Sequence, residues 1–218
     1  GYEKLFKPAM AYDTEDAFVE YLLSDQPEPP RYFAVMKRVN KEGPAVLRDL
    51  PALELMPAKR IPTLLEAGEQ IIDTRNAGSF AGRHIPGTIN VPFDMLAGWA
   101  GWIVDYERPL YLIVDPQHAH EAVRDLAYIG IDKVVGYFEH EAVATLSEAG
   151  VPPQAYQVMT PDKVAEGVLN GEYVVVDVRN ETEWDAGHIP GAKHMMLGYL
   201  QENVTSVVNG KTVVVHCL

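Results

Sequence analysis

One stretch of this sequence is written twice. Asp73-Thr74-Arg75-Asn76-Ala77-Gly78-Ser79-Phe80-Ala81-Gly82-Arg83-His84-Ile85-Pro86-Gly87 aligns without a gap on Asp177-Val178-Arg179-Asn180-Glu181-Thr182-Glu183-Trp184-Asp185-Ala186-Gly187-His188-Ile189-Pro190-Gly191. The offset is 104 residues (177 minus 73), and seven of the fifteen positions are identical. Self-similarity at a fixed offset marks a structural unit used twice, so two homologous domains are expected. Each copy follows a short apolar run and is followed by others, separated by helical stretches. That alternation builds a parallel sheet from β-α-β units and sets the expected class as α/β.

Breakers and apolar spacing place the elements. Strands are expected at 70–73, 88–91, 110–114 and 133–137, with helices at 61–67, 118–129 and 140–149. Gly150-Val151-Pro152-Pro153 reads as a linker, after which the pattern restarts: Thr160 caps a helix through 169, and strands follow at 173–177 and 212–216. The first 50 residues differ. Asp13 or Thr14 caps a helix with Ala17, Phe18, Tyr21 and Leu22 on one face, and a second helix carrying Tyr32, Phe33, Met36 and Val39 ends before Gly43-Pro44.

Composition narrows the function. A net charge of −13 argues against general nucleic-acid affinity, which needs Lys and Arg to displace phosphate counterions. No apolar run reaches the roughly 20 residues of a membrane span, and no secretory signal pattern opens the chain, so a cytoplasmic location is the default expectation. The single cysteine, Cys217, excludes an internal disulfide and a cysteine-built zinc site, and suits a reducing compartment.

Asp-x-Arg stands at the carboxyl end of a buried strand in both copies, the edge where open α/β sheets place ligands. Asp177 and Arg179 are read first as loop braces through capping and ion pairing. His188-Ile189-Pro190-Gly191 is read as a rigid turn, Pro fixing one dihedral and Gly permitting a positive one. His118-Ala119-His120-Glu121 has two histidines but no further ligand set in sequence, and reads as a polar loop and helix start rather than a metal site.

Taken together, Asp177-x-Arg179, Glu183-Trp184 and Gly187-His188-Ile189-Pro190-Gly191-Ala192 resemble the rhodanese (thiosulfate sulfurtransferase) family. The first copy departs from the pattern, with Ser79 for the glutamate and Arg83 for the glycine. The resemblance covers residues from near Leu55 to the end, and implies two rhodanese-like domains, each a parallel sheet flanked by helices. It also implies a strand ending in a cysteine that opens a short loop into a helix. Cys217, after Thr212-Val213-Val214-Val215-His216, stands there as the expected nucleophile, with Asp177, Arg179 and His188 in support. Its plain alternative is a buried, inert thiol closing a core strand.

In the family that loop, an arginine closing it and further elements follow the cysteine. The sequence ends at Leu218, so the second domain is expected to be truncated and the chain to be a fragment. Aligning Leu112-Ile113-Val114 on Val214-Val215-His216 puts Asp115 at the nucleophile position, followed by Pro116. An aspartate carries no persulfide, so the first domain is expected to be inactive and to dock, dimerise or shape access to a neighbour.

The N-terminal block adds a second resemblance. Asp16-Ala17-Phe18-Val19-Glu20, Gln26-Pro27-Glu28-Pro29-Pro30-Arg31-Tyr32-Phe33 and Met36-Lys37-Arg38-Val39-Asn40 look like the tail of a metallo-β-lactamase-fold domain in proteins that fuse it to rhodanese repeats. Relatives include persulfide dioxygenases and glyoxalase II-like hydrolases. The expected domains are therefore 1–50, a helical tail; 51–152, an inactive rhodanese-like domain; and 153–218, a second one. No cofactor is expected within these residues, iron or zinc belonging to the absent domain. Expected partners are small sulfur donors and thiol acceptors, with a homo-oligomer possible. Two alternatives stay open: a non-catalytic interaction module, and a rhodanese-fold cysteine phosphatase, since His216-Cys217 also opens that signature.

Overall fold

The computed structural model describes residues 2, 6–24, 26, 29–44, 46, 49–50, 52–207 and 210–217. The chain divides into two compact units: Pro30–Lys163, and Gly1–Pro29 together with Val164–Leu218. Leu218, the last residue of the expected second domain, lies outside the described residues.

The Pro30–Lys163 unit is built on a parallel five-stranded sheet, β1 (Glu54–Leu55), β2 (Gln70–Asp73), β3 (Ile89–Asn90), β4 (Leu110–Ile113) and β5 (Val134–Phe138), in the order β1-β5-β4-β2-β3. Alternation along the strands divides the core between two faces. Ile72, Leu110 and Leu112 face α5 (Leu96–Ile103) and α6 (Ala119–Tyr128), packing on Leu96, Ala100, Ala122 and Leu126. Ile71 and Ile113 face the other way, with Phe138, onto α3 (Ile61–Glu66) and α7 (Ala142–Glu148), against Ile61, Leu64, Val143 and Leu146. A further helix, α4 (Ala77–Gly82), lies inside the repeated motif, capped by Asn76 Oδ1 accepting the Ser79 N–H at 2.9 Å.

Helix α2 (Tyr32–Glu42) precedes the expected boundary after residue 50 and packs within the Pro30–Lys163 unit. Its side chains occupy the room left by glycines. The Tyr32 ring fills the place of a Cβ on Gly101 of α5, and Met36 Cε lies 2.7 Å from where a Cβ on Gly130 would stand. Beyond residue 152, Gln154 and Tyr156 hydrogen bond back to His84 and Ala81.

The second unit repeats part of this plan. Helix α8 (Pro161–Leu169) leads to β6 (Tyr173–Asp177), α9 (Glu181–Ala186), β7 (Lys193–His194), α10 (Leu197–Val207) and β8 (Thr212–His216). Its parallel sheet runs β7-β6-β8, the arrangement of β3-β2-β4 in the first. Its buried cluster is small, Val176 and Val178 packed against Met195, Leu200 and Val213. The face corresponding to Ile71 and Ile85 is open: a cleft of about 320 Å³ is lined by Tyr173, Val175 and Ile189 among others. Helix α1 (Glu15–Leu23) begins at Thr14, whose Oγ1 accepts the Ala17 N–H at 3.3 Å. No described helix is long and apolar enough to cross a membrane.

Candidate functional site at the carboxyl edge of the second sheet

The end of β6 is fastened by one residue pair. Asp177 is fully buried, and its Oδ1 accepts the Arg179 backbone N–H at 3.1 Å and the Nε–H at 2.9 Å. Oδ2 accepts from Nη2 at 2.6 Å, and Nη2 also donates to the Gly187 carbonyl at 2.8 Å. One guanidinium thus ties the strand end to the far end of α9, a bidentate geometry that lysine does not reproduce. The hydrogen bonds from Arg179, opposed by burial, hold the Asp177 carboxyl down at about 2. Arg179 is raised in turn, chiefly by its bonds to Asp177, with Cys217 among the weaker charges it feels.

The motif between them folds by local rules. Asn180 Oδ1 accepts the Glu183 N–H at 2.9 Å while Glu183 reaches back to the Asn180 N–H, a capping box that starts α9. Trp184 then stacks on His188 at 3.6 Å, with His188 Nδ1 3.1 Å from the Trp184 carbonyl. Pro190 and Gly191 turn the chain, Gly191 at φ +82° and the Ala192 N–H donating to Ile189 O at 3.0 Å, as a type II turn requires. His194 Nε2 sits 2.9 Å from the Arg179 carbonyl.

The first copy repeats the clamp and the asparagine cap, without the reciprocal glutamate of the capping box. Arg75 grips Asp73 through Nη2 at 2.6 Å and the Arg83 carbonyl at 2.9 Å, and Asn90 Nδ2 donates to the Arg75 carbonyl at 2.8 Å. A clamp present beside two different strand ends is a way of holding the loop. Asp177 and Arg179 bond to each other within the motif, and His188 Nδ1 lies against the Trp184 carbonyl. His194 was not singled out in sequence; its place at offset 104 from Asn90 is the signal that identifies it.

Cys217 directly follows β8 at the same carboxyl edge and is exposed. β8 is set against β6 by the pairing Asp177↔His216, and His216 Nε2 lies 4.0 Å from Asp177 Oδ2. The Val178 N–H donates to the His216 carbonyl at 3.0 Å, which fixes where the cysteine leaves the sheet.

That register corrects the assignment of Asp115. In the first sheet Asp73 pairs with Ile113 and the Thr74 N–H donates to the Ile113 carbonyl at 2.9 Å, so Ile113 corresponds to His216 and Val114 to Cys217. Asp115 comes one residue later, where its Oδ1 accepts the Gln117 N–H at 2.9 Å. Val114 is buried and apolar, so the first sheet edge still offers no nucleophile at this point. His118 precedes α6 and stacks on Phe93 at 4.7 Å. Among the described residues no group of three or more His, Cys, Asp or Glu is placed to hold a metal ion.

Comparison with known proteins defines the class of the second unit. Residues 160–218 match the family of the rhodanese-like domain, so the C-terminal part of the chain is a rhodanese-like domain. Among solved structures the chain is similar to a metallo-beta-lactamase from Staphylococcus aureus subsp. aureus COL, at 32% identity and a TM-score of 0.54, over 64% of this chain and 39% of that one. The chain therefore spans well under half the length of that structure. Wild-type EanB follows at 19% identity and TM-score 0.43, over 69% of this chain and 42% of its own. The Alr3790 protein from Anabaena sp. follows at 21% and 0.40, over 52% of this chain and 97% of its own. No curated protein matches the chain.

Proposed function

We propose that the second repeat is a sulfurtransferase module carrying sulfane sulfur on Cys217. The observation that supports this most directly is the position of Cys217: exposed, at the carboxyl edge of a parallel sheet, beside an Arg-clamped strand end in a segment matching the rhodanese-like family. The Cys217 thiolate attacks the outer sulfur of thiosulfate. The S–S bond to the sulfonate breaks, sulfite leaves with the electron pair, and a cysteine persulfide remains. An acceptor thiolate, or cyanide, then attacks the terminal sulfur and returns the electron pair of the new S–S bond to Cys217. The donor and acceptor classes follow from this chemistry: small sulfane-sulfur anions and thiols.

The first repeat, with Val114 at the equivalent point, is an inert second copy of the rhodanese-like plan within the same protein. The likeness to a longer metallo-beta-lactamase supports a fusion in which a metal-dependent domain supplies or consumes the sulfur species. The described residues bring together no cluster that fits the iron or zinc of such a domain, so no step here runs through a metal.

The test uses the full-length protein. Thiosulfate treatment is expected to add one sulfur to the intact mass of the wild-type chain and none to Cys217→Ser, with thiocyanate formation from cyanide lost in the variant. No sulfur gain by the wild type, or equal turnover by both proteins, refutes the reading.

A further inference from the structure

A cleft of about 440 Å³ lies in the first unit where β1 and β5 end, between the turn Ala58–Arg60 and the start of α7. Every residue lining it falls between 55 and 145, inside the Pro30–Lys163 unit. Its volume is that of a small-ligand site, roughly 300–1,000 Å³.

Much of the wall is aliphatic. Met56, Ala58 and Ala142 continue the core that packs Ile61, Phe138 and Val143 on this face of the sheet. The Met56 side chain is seated over Gly136, its Sδ 2.6 Å from where a Cβ would stand. Two carboxylates line the cleft as well. Glu139 and Glu141 leave the end of β5 two residues apart, both exposed, and among the described residues neither makes an ion pair. The Thr145 hydroxyl donates to the Glu141 carbonyl at 3.1 Å, so its oxygen keeps lone pairs for a donor. Lys59 and Arg60 follow Ala58 and are exposed, but neither lines the cleft.

This lining selects a class of ligand. Two carboxylates repel an anion. A hard metal ion needs more oxygen ligands than they supply, and the aliphatic wall offers none. An organic cation suits both parts, its charge against the carboxylates and its stem along the wall, as a lysine side chain divides itself between water and apolar surface. We propose that the cleft binds an ammonium group on an aliphatic stem of lysine length, the chemistry shared by a free alkylamine and a lysine side chain. The three N–H donors of an ammonium match three acceptors here, Glu139, Glu141 and the Thr145 hydroxyl.

Titration of the full-length protein with n-pentylamine, n-pentanol and n-pentanoate tests this, at neutral pH and matched ionic strength, following the methyl resonances of Ala142 and Thr145. The amine is expected to shift both saturably and about fivefold more tightly than the alcohol, the scale of two exposed ion pairs. Pentanoate is expected to shift neither. Glu139→Gln/Glu141→Gln, which alters only exposed side chains, is expected to bring the amine down to the affinity of the alcohol. Absence of a saturable shift up to about 50 mM amine, equal affinity of amine and alcohol, or undiminished amine binding by the double variant overturns the site. Equally large shifts at Ala100, in the core on the opposite face, also overturn it. Nα-acetyl-lysine methylamide separates the sources: displacement of pentylamine assigns the cleft to a lysine of a protein partner, and failure to displace it assigns a free amine. No residue of the cleft belongs to the second repeat, so the result stands apart from that of the sulfur-transfer test.

Discussion

Asp177→Asn isolates what charge contributes to the second repeat. The native carboxyl is held at about 2, below its ordinary 3.8, so the stability it contributes is fully present above pH 3.8 and is lost as pH falls through about 2. A depression of that size corresponds to about 2 kcal/mol. The asparagine variant lacks this acid dependence. It also strands the Arg179 guanidinium, whose side chain is only 9% exposed, so a further loss of stability is expected at neutral pH. The Gly187 carbonyl still accepts from Nη2, which limits that loss. Urea unfolding, read at the Trp184 indole across the acid range, measures both effects. With a cluster as small as Val176 and Val178, the variant unit can lose its folded baseline altogether. The double variant Asp177→Asn/Arg179→Gln then decides, since removing both charges is expected to restore part of the loss. An unchanged acid slope in Asp177→Asn, or a double variant no more stable than the single, refutes the account.

The glycine contacts and the register of the first repeat give two further expectations. Gly101→Ala sets a methyl where the Tyr32 ring packs, and is expected to destabilise the Pro30–Lys163 unit by about 1–3 kcal/mol in a denaturant titration; a neutral effect shows that α2 is not seated on α5. Val114→Cys places a thiol at the register position of Cys217 but in a site 1% exposed. In a Cys217→Ser background it is expected to react with a thiol reagent far more slowly than Cys217 does in the native chain, and equal rates refute the burial argument.

The strands were legible because their chemistry is one-dimensional. The β-branched runs at 173–177 and 212–216 and the run at 70–73 read directly as β6, β8 and β2. Short helices hid for separate reasons. α5, Leu-Ala-Gly-Trp-Ala-Gly-Trp-Ile, is apolar on every side and has no 3.6-residue period to detect. α4 and α9 are six residues long, and their signal is the capping asparagine rather than a pattern, a cue present at Asn76 and at Asn180 with Glu183. Apolar runs alone do not place the residue equivalent to Cys217, because a shift of one position leaves Leu112-Ile113-Val114 equally apolar. From the clamp to its partner strand the first repeat spans one residue more than the second, Asp73 to Ile113 against Asp177 to His216, and only the hydrogen-bonded register reveals it.

The Asp-x-Arg clamp closes between residues ten positions apart or fewer, Asp177 to Gly187, whereas β8 must be recruited from beyond α10. Local closure precedes non-local pairing, because the longer loop costs entropy before any strand contact repays it. Each repeat therefore presents a finished strand-and-turn hook early, and two late-arriving strands, β4 and β8, compete for two hooks of nearly the same design. A chain that duplicates its earliest-forming element also duplicates its opportunities for cross-pairing, and its folding yield is expected to be higher when synthesis delivers β4 to β2 before β6 emerges.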